Sequence, residues 1–162
     1  MNKKSEASPF ERVNTLVTKH HYAFQSWNDR YSKGVWASLA PCDDLLDEVR
    51  ESTSDGDLDM IPSTEYFSNT KWLPIVLGYN FVDALVNLEA RLSKIPNEMF
   101  CRNSMWESAI IESLKHLRAI RNAGDDYGKI DGKFLKLPKT FDEMVKLKSD
   151  NESLFIQQEN KQ

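Results

Sequence analysis

Apolar residues recur in steps of three and four along three long stretches of this chain, the spacing that gathers side chains on one face of a helix. After Ser8-Pro9, a helix-start signal, Phe10, Val13, Val17, His20, Phe24, Trp27 and Tyr31 form one such stripe. It predicts a helix to about Ser32. A second helix is predicted from near Leu73, with Pro74 in its first turn. Ile75, Tyr79, Val82, Val86 and Leu92 mark its buried side, and it ends before Pro96. The third opens on Ser104-Met105-Trp106-Glu107, the spacing of a capping box. There the serine oxygen and the glutamate carboxylate satisfy amides that the first turn leaves without partners. Trp106, Ile110, Leu114, Leu117 and then Ile120 or Arg121 continue that stripe, and Gly124 stands where a helix stop belongs.

The intervening segments are short. Gly34 and Pro41 bound an irregular piece containing Trp36 and Leu39. Residues 42–51 predict a short acidic helix with Leu45, Leu46 and Val49 inward, and the polar run Ser52–Asp59 predicts a loop. Past Gly124, residues 125–132 read as a turn-rich loop with two glycines. The runs 134–138 and 144–148 alternate apolar and polar residues, as short strands do, although Phe141–Lys148 also fits a final helix. Three long helical patterns against two short alternating runs predict an all-α fold. Its form would be a compact bundle of three long helices plus short helices or a short C-terminal hairpin. Its 162 residues suit one domain, taken as 1–156, with a frayed tail at 157–162.

Composition narrows the class. At 40% apolar and 28% charged residues, wholesale disorder is excluded. No run approaches the roughly 18–20 apolar residues that cross a bilayer, so no membrane partner is expected. The charged N-terminus has no apolar stretch behind it, which predicts no secretory leader. Cys42 and Cys101 are far apart and unpatterned, so neither a disulfide framework nor a zinc site follows, and no metal or cofactor is expected. The default expectation is a soluble, reduced, cytoplasmic protein. The net charge of -4 conceals an asymmetry. Between Asp43 and Asp59 eight carboxylates face Arg50 alone, a local net of -7, which leaves +3 on the rest of the chain. An anionic ligand therefore stays open outside that stretch.

Chemistry concentrates where the third helix ends, at Arg118-Ala119-Ile120-Arg121-Asn122-Ala123-Gly124-Asp125-Asp126. Arginine there can present a planar, permanently charged fork to a phosphate. The asparagine amide can tie the following loop to the helix end. A plainer use exists: cations at a helix C-terminus complement its dipole by ~0.3–1 kcal/mol. Likewise Asp125 and Asp126 can simply shape the turn. Asn80, Asp83 and Asn87 form a polar stripe on the second helix, either a solvated face or the lining of an Arg121 cleft. The four tryptophans, spread over different segments, read as core or interface.

The stretch from about 70 to 132 resembles the HEPN (higher eukaryotes and prokaryotes nucleotide-binding) family in its long apolar helix, Arg121-Asn122 pair and glycine-bearing loop. The resemblance implies an α-helical bundle, a homodimer and a metal-independent ribonuclease site built from Arg, Asn and a following His. Here Asp126 stands five positions after Arg121, and no histidine follows it. An ordinary aspartate titrates near 3.9 and repels phosphate, whereas histidine near 6.5 suits proton transfer at neutral pH. Arg121, Asn122 and Asp126 thus make a degenerate catalytic set, with Arg118, Arg121, Asn80 and Asp83 as ligand-binding candidates. His20, on the first stripe, reads as a structural residue or as a replacement base. His116 precedes Arg121 by five residues, roughly 500° around a helix, and points away from it. The resemblance implies a microbial defence, toxin–antitoxin or mobile-element protein that binds RNA or nucleotide, with cleavage lost or strongly reduced. Two alternatives remain. One is a non-enzymatic helical dimer or adaptor using the acidic 43–59 segment to hold a protein partner. The other is an active ribonuclease using His20 or Asp126.

Overall fold

The first stripe does not make one long helix, because the chain turns at His20-His21. In a computed structural model of the protein, which describes residues 8–31, 33–54, 61–123, 129–130, 133–135, 142 and 155–157, helix α1 covers Glu11–Lys19 only. His21 then takes a left-handed φ of 56°, and the Tyr22 N–H donates to the Leu16 carbonyl at 3.0 Å. Strand β1 (Ala23–Asn28) leaves from that turn and runs antiparallel to β2 (Val35–Ala40), from Ala23↔Ala40 to Asn28↔Val35. Strand β3 (Ile75–Gly78) pairs antiparallel on the other side of β2, so the sheet order is β1-β2-β3.

Helices fill the rest: α2 (Asp43–Ser54), α3 (Ile61–Asn69), α4 (Phe81–Leu92) and α5 (Met105–Ala123), with a 3-10 turn at Asn97–Met99. Short strands β4 (Lys129–Ile130), β5 (Lys133–Leu135) and β6 (Phe155–Gln157) form a second antiparallel sheet. The fold is therefore mixed α and β, and the all-α helical bundle expected from the spacing is overturned. Two physical reasons account for the difference. Phe24, Trp27 and Tyr31 continue the three-and-four rhythm by coincidence, since a strand of six residues is too short to impose a distinct period. In β2 five of six residues are buried, because helices cover both faces, so the alternation that marks a half-exposed strand is missing.

The predicted second helix is likewise two elements. Ile75 is a buried strand residue, and α4 starts only after Asn80. Its buried residues are Ala84, Leu88 and Leu92, whereas Tyr79, Val82 and Val86 are exposed. The acidic helix and the third helix match their sequence patterns. Leu45, Leu46 and Val49 are buried on α2, and Trp106, Ile110, Leu114 and Leu117 on α5. The Ser104 Oγ accepts from the Glu107 N–H at 3.1 Å, and the Glu107 carboxylate accepts from the Asn103 N–H at 3.3 Å. Of the C-terminal alternatives, run 134–138 contributes to β5, while residues 136–141 and 143–154, the stop at Gly124 and the tail beyond Gln157 lie outside the described residues.

One face of the first sheet meets α2 and α3, where Trp27 donates to Thr53 and Trp36 meets Phe67 edge-on. The other meets α4 at Gly78, where an added Cβ would lie 2.3 Å from the Ala84 backbone nitrogen. Any larger residue there forces α4 off the sheet. Helix α4 also secures α1, whose N-cap residue Phe10 makes no side-chain cap. The Glu89 carboxylate accepts instead from the Arg12 and Val13 amides, both at 3.0 Å. A carboxylate there meets orphan amides and the positive end of the helix dipole together.

Candidate functional site

Edge strands expose a row of polar backbone groups that need partners. Because β3 uses its even-numbered residues towards β2, starting with Pro74, whose carbonyl accepts from the Leu39 N–H, its odd-numbered residues face outward. Helix α4 supplies their partners at a four-residue interval. The Asp83 carboxylate accepts from the Tyr79 N–H at 2.8 Å, Asn87 Nδ2 donates to the Leu77 carbonyl at 3.0 Å, and Arg91 Nη1 donates to the Ile75 carbonyl at 2.6 Å. The match is geometric: four helical residues rise about 6 Å and two strand residues about 6.6 Å.

Arg91 does more than close the edge. Its Nη1 also lies 3.0 Å from the Leu73 carbonyl and 3.2 Å from that of Phe67, near the C-terminus of α3. Every partner of this guanidinium among the described residues is a backbone carbonyl, and none is a carboxylate. Burial pushes its pKa down from 12.5 to about 10, so at neutral pH it remains a cation held at a desolvation cost.

Around it opens a cavity of about 350 Å³ lined by Ser68, Lys71, Val76, Leu77, Asn87, Ala90, Arg91 and Lys94. Among the described residues three cations line it and no carboxylate does. Carbonyl dipoles at a helix C-terminus supply only about half a negative charge, so they leave a clear positive excess in the cavity. Lys71 Nζ reaches the Ser68 carbonyl at 3.4 Å, which holds its charge at the rim. A second cavity of about 460 Å³ adjoins the first, sharing Ser68 and Leu77, and includes Asp29, Tyr31, Trp36 and Glu65 in its wall. Asp29 is committed to the fold there: one oxygen accepts from Trp36 Nε1 at 3.0 Å, the other from the Tyr31 and Lys33 amides.

Of the sequence candidates whose side chains are described, Asn87 lines this cavity, whereas Arg118, Asn80 and Asp83 do not. Arg118 Nε bonds the buried Glu48 carboxylate of α2 at 2.9 Å, and its Nη2 reaches the Asp44 carbonyl at 3.4 Å. Asn80 caps α4 by accepting from the Asp83 N–H at 2.9 Å. The stripe Asn80, Asp83 and Asn87 is thus a capping device at the β3–α4 junction. Arg121 and Asn122 stand in the last turn of α5, but their side chains, and Asp126 altogether, lie outside the described residues. His20 lines a small cavity of about 240 Å³ with Arg12, Thr15 and Phe100. On α2, Asp43, Asp44, Asp47 and Glu51 are exposed and Glu48 is buried. The apolar helical stripe expected from Phe10 to Tyr31 is broken by the turn at His21.

Other titratable groups are built into the structure. Tyr22 Oη donates to Glu107 at 2.9 Å, and Arg102 Nη1 lies 3.4 Å from the same carboxylate. Burial, reinforced by Glu107, raises the Tyr22 phenol far above its ordinary value. Among the described residues no three His, Cys, Asp or Glu side chains gather as a metal would require, and no helix is long and apolar enough to cross a membrane.

Arg91, Lys71 and Lys94 were not singled out from the sequence. A signal existed, since Arg91 extends the Asp83–Asn87 stripe by another four residues. Lys71, by contrast, reaches the cavity only through the fold. No family model matches the chain, and no curated protein or solved structure is significantly similar to it.

Proposed function

We propose that this protein is a non-enzymatic binding module for a phosphate-bearing ligand, held at Arg91 between α3 and α4. One observation carries the reading: a part-buried guanidinium whose only partners among the described residues are carbonyls, in a cavity where Lys71 and Lys94 add charge of the same sign. Buried charges are ordinarily paired, and a dianionic phosphate supplies the missing partner. RNA and nucleotides, the ligands that the Arg-Asn resemblance implies, also carry phosphate, although Arg91 is not part of that motif. Among the described residues the one hydroxyl that lines the cavity is Ser68 Oγ, and it makes no hydrogen bond to Lys71 or another base, which favours binding over chemistry.

Thermal unfolding in inorganic phosphate, against chloride at equal ionic strength, tests the proposal. A specific site raises the midpoint with phosphate concentration, by mass action on the folded state. General salting effects persist in the Lys71→Glu/Lys94→Glu variant, while the specific part disappears. Equal responses in wild type and variant would refute the site.

A second reading has one observation in its favour: Arg121-Asn122 occupies the last turn of α5, as the HEPN motif has it. An RNA cleft across a homodimer would rest on that pair. It predicts that Arg121→Ala, and not Lys71→Glu/Lys94→Glu, abolishes RNA binding.

A further inference from the structure

We infer that the two adjoining cavities form one site, and that its ligand is a phosphomonoester with a planar, donor-bearing body, of which a nucleoside monophosphate is the simplest example. This inference rests on the phosphate reading of the Arg91 cavity. The two spaces meet at Ser68 and Leu77, and they differ in chemistry. The first gathers Arg91, Lys71 and Lys94 and suits a dianion. In the second, the exposed Tyr31 ring and Leu77 provide apolar surface against which a flat ring can lie, over a floor that the buried Trp36 closes. At about 350 and 460 Å³, the joined site falls within the ordinary range for a small-molecule pocket.

Polar groups beyond the apolar wall set the direction of the ligand. Glu65 brings a carboxylate to the second cavity, on the α3 side, where a ligand hydroxyl or exocyclic amine can donate to it. Asp29 is poorly placed for that part, since it is buried and its oxygens already accept three bonds. Charge also selects a single phosphate over a chain of them. Asp29 and Glu65 outnumber Lys33 among the described residues of the second cavity, so it offers no net attraction for another phosphate. A polymer needs a continuous cationic track, with each neutralised phosphate adding to the affinity. Here the cations in excess of carboxylates, among the described residues, are confined to one end.

Titration calorimetry on the full chain, with inorganic phosphate, adenosine 5′-monophosphate, adenosine and a short oligoribonucleotide, tests this. The monophosphate is expected to bind at least about tenfold more tightly than phosphate, equivalent to ~1.4 kcal/mol. Adenosine alone is expected to bind far more weakly. Asn69→Trp fills the second cavity from an exposed helix end, with Glu65→Trp as an alternative if that variant folds poorly. Asn69→Trp should bring the monophosphate to within about twofold of phosphate and leave phosphate binding unchanged; Glu65→Trp should remove the gain for the monophosphate. Phosphate binding with no gain for the monophosphate would overturn the joined site and leave the Arg91 reading intact. Absence of phosphate binding would overturn that reading, and this one with it. Tighter binding of the oligoribonucleotide than of the monophosphate would overturn the single-phosphate site.

Discussion

Arg91 on α4 and Arg118 on α5 are both helix-borne arginines at the junction of packed elements, yet their charges are met differently. Arg118 reaches a carboxylate, Glu48, which is itself only 3% exposed. The pair neutralises locally and ties α5 to α2. Arg91 reaches only carbonyls among the described residues, all through Nη1, and these leave its charge unmet. The difference separates two uses of one side chain. A cation with its counter-charge built in has a structural role, and one with dipoles alone retains the capacity to hold an anion.

The contrast can be broken most severely at Arg91 itself. Arg91→Met keeps an unbranched apolar stem and removes the donor shared by three carbonyls, so a loss of about 2–3 kcal/mol is expected in urea unfolding, with the phosphate response abolished. Gly78→Ala pushes α4 away from β3 without touching either arginine. It should cost about 2 kcal/mol and weaken phosphate binding by displacing Arg91, which calorimetry would read. Arg118→Ala strands a buried carboxylate and should cost about 1–2 kcal/mol, leaving phosphate binding unchanged. Lys71→Glu/Lys94→Glu reverses two rim charges, and stability should move by less than about 0.5 kcal/mol while binding is lost.

The smallest effect concerns pH. Below about 10 Arg91 is charged in both folded and unfolded chains, and its burial opposes folding. Between about 10 and 12.5 the unfolded chain binds the extra proton, so this group's contribution to stability rises with pH. The difference in unfolding free energy between wild type and Arg91→Met should therefore widen in favour of wild type above pH 10. Bound phosphate favours the protonated arginine and should shift that window upward.

Much of α5 was legible because its signals are local. Ser104 and Glu107 sit three residues apart, and the apolar stripe behind them runs for four turns. The sheet was not, because β1 imitates a helical rhythm and β2 is buried on both faces. The site was legible only in part. Asn80, Asp83 and Asn87 stood out as a polar stripe, but their purpose depends on β3, a strand that sequence spacing assigns to a helix. Arg118 was singled out for its position near a helix end, and its partner Glu48, 70 residues away, is set by tertiary packing.

The account turns on whether an anion seeks Arg91. Backbone amide shifts recorded while inorganic phosphate is titrated into the labelled full chain at fixed ionic strength give the most direct answer. The account predicts saturable shifts confined to Ser68, Lys71, Asn87, Arg91, Lys94 and their neighbours. Shifts confined to Arg118–Asn122 on α5, with the Arg91 group unmoved, would contradict it.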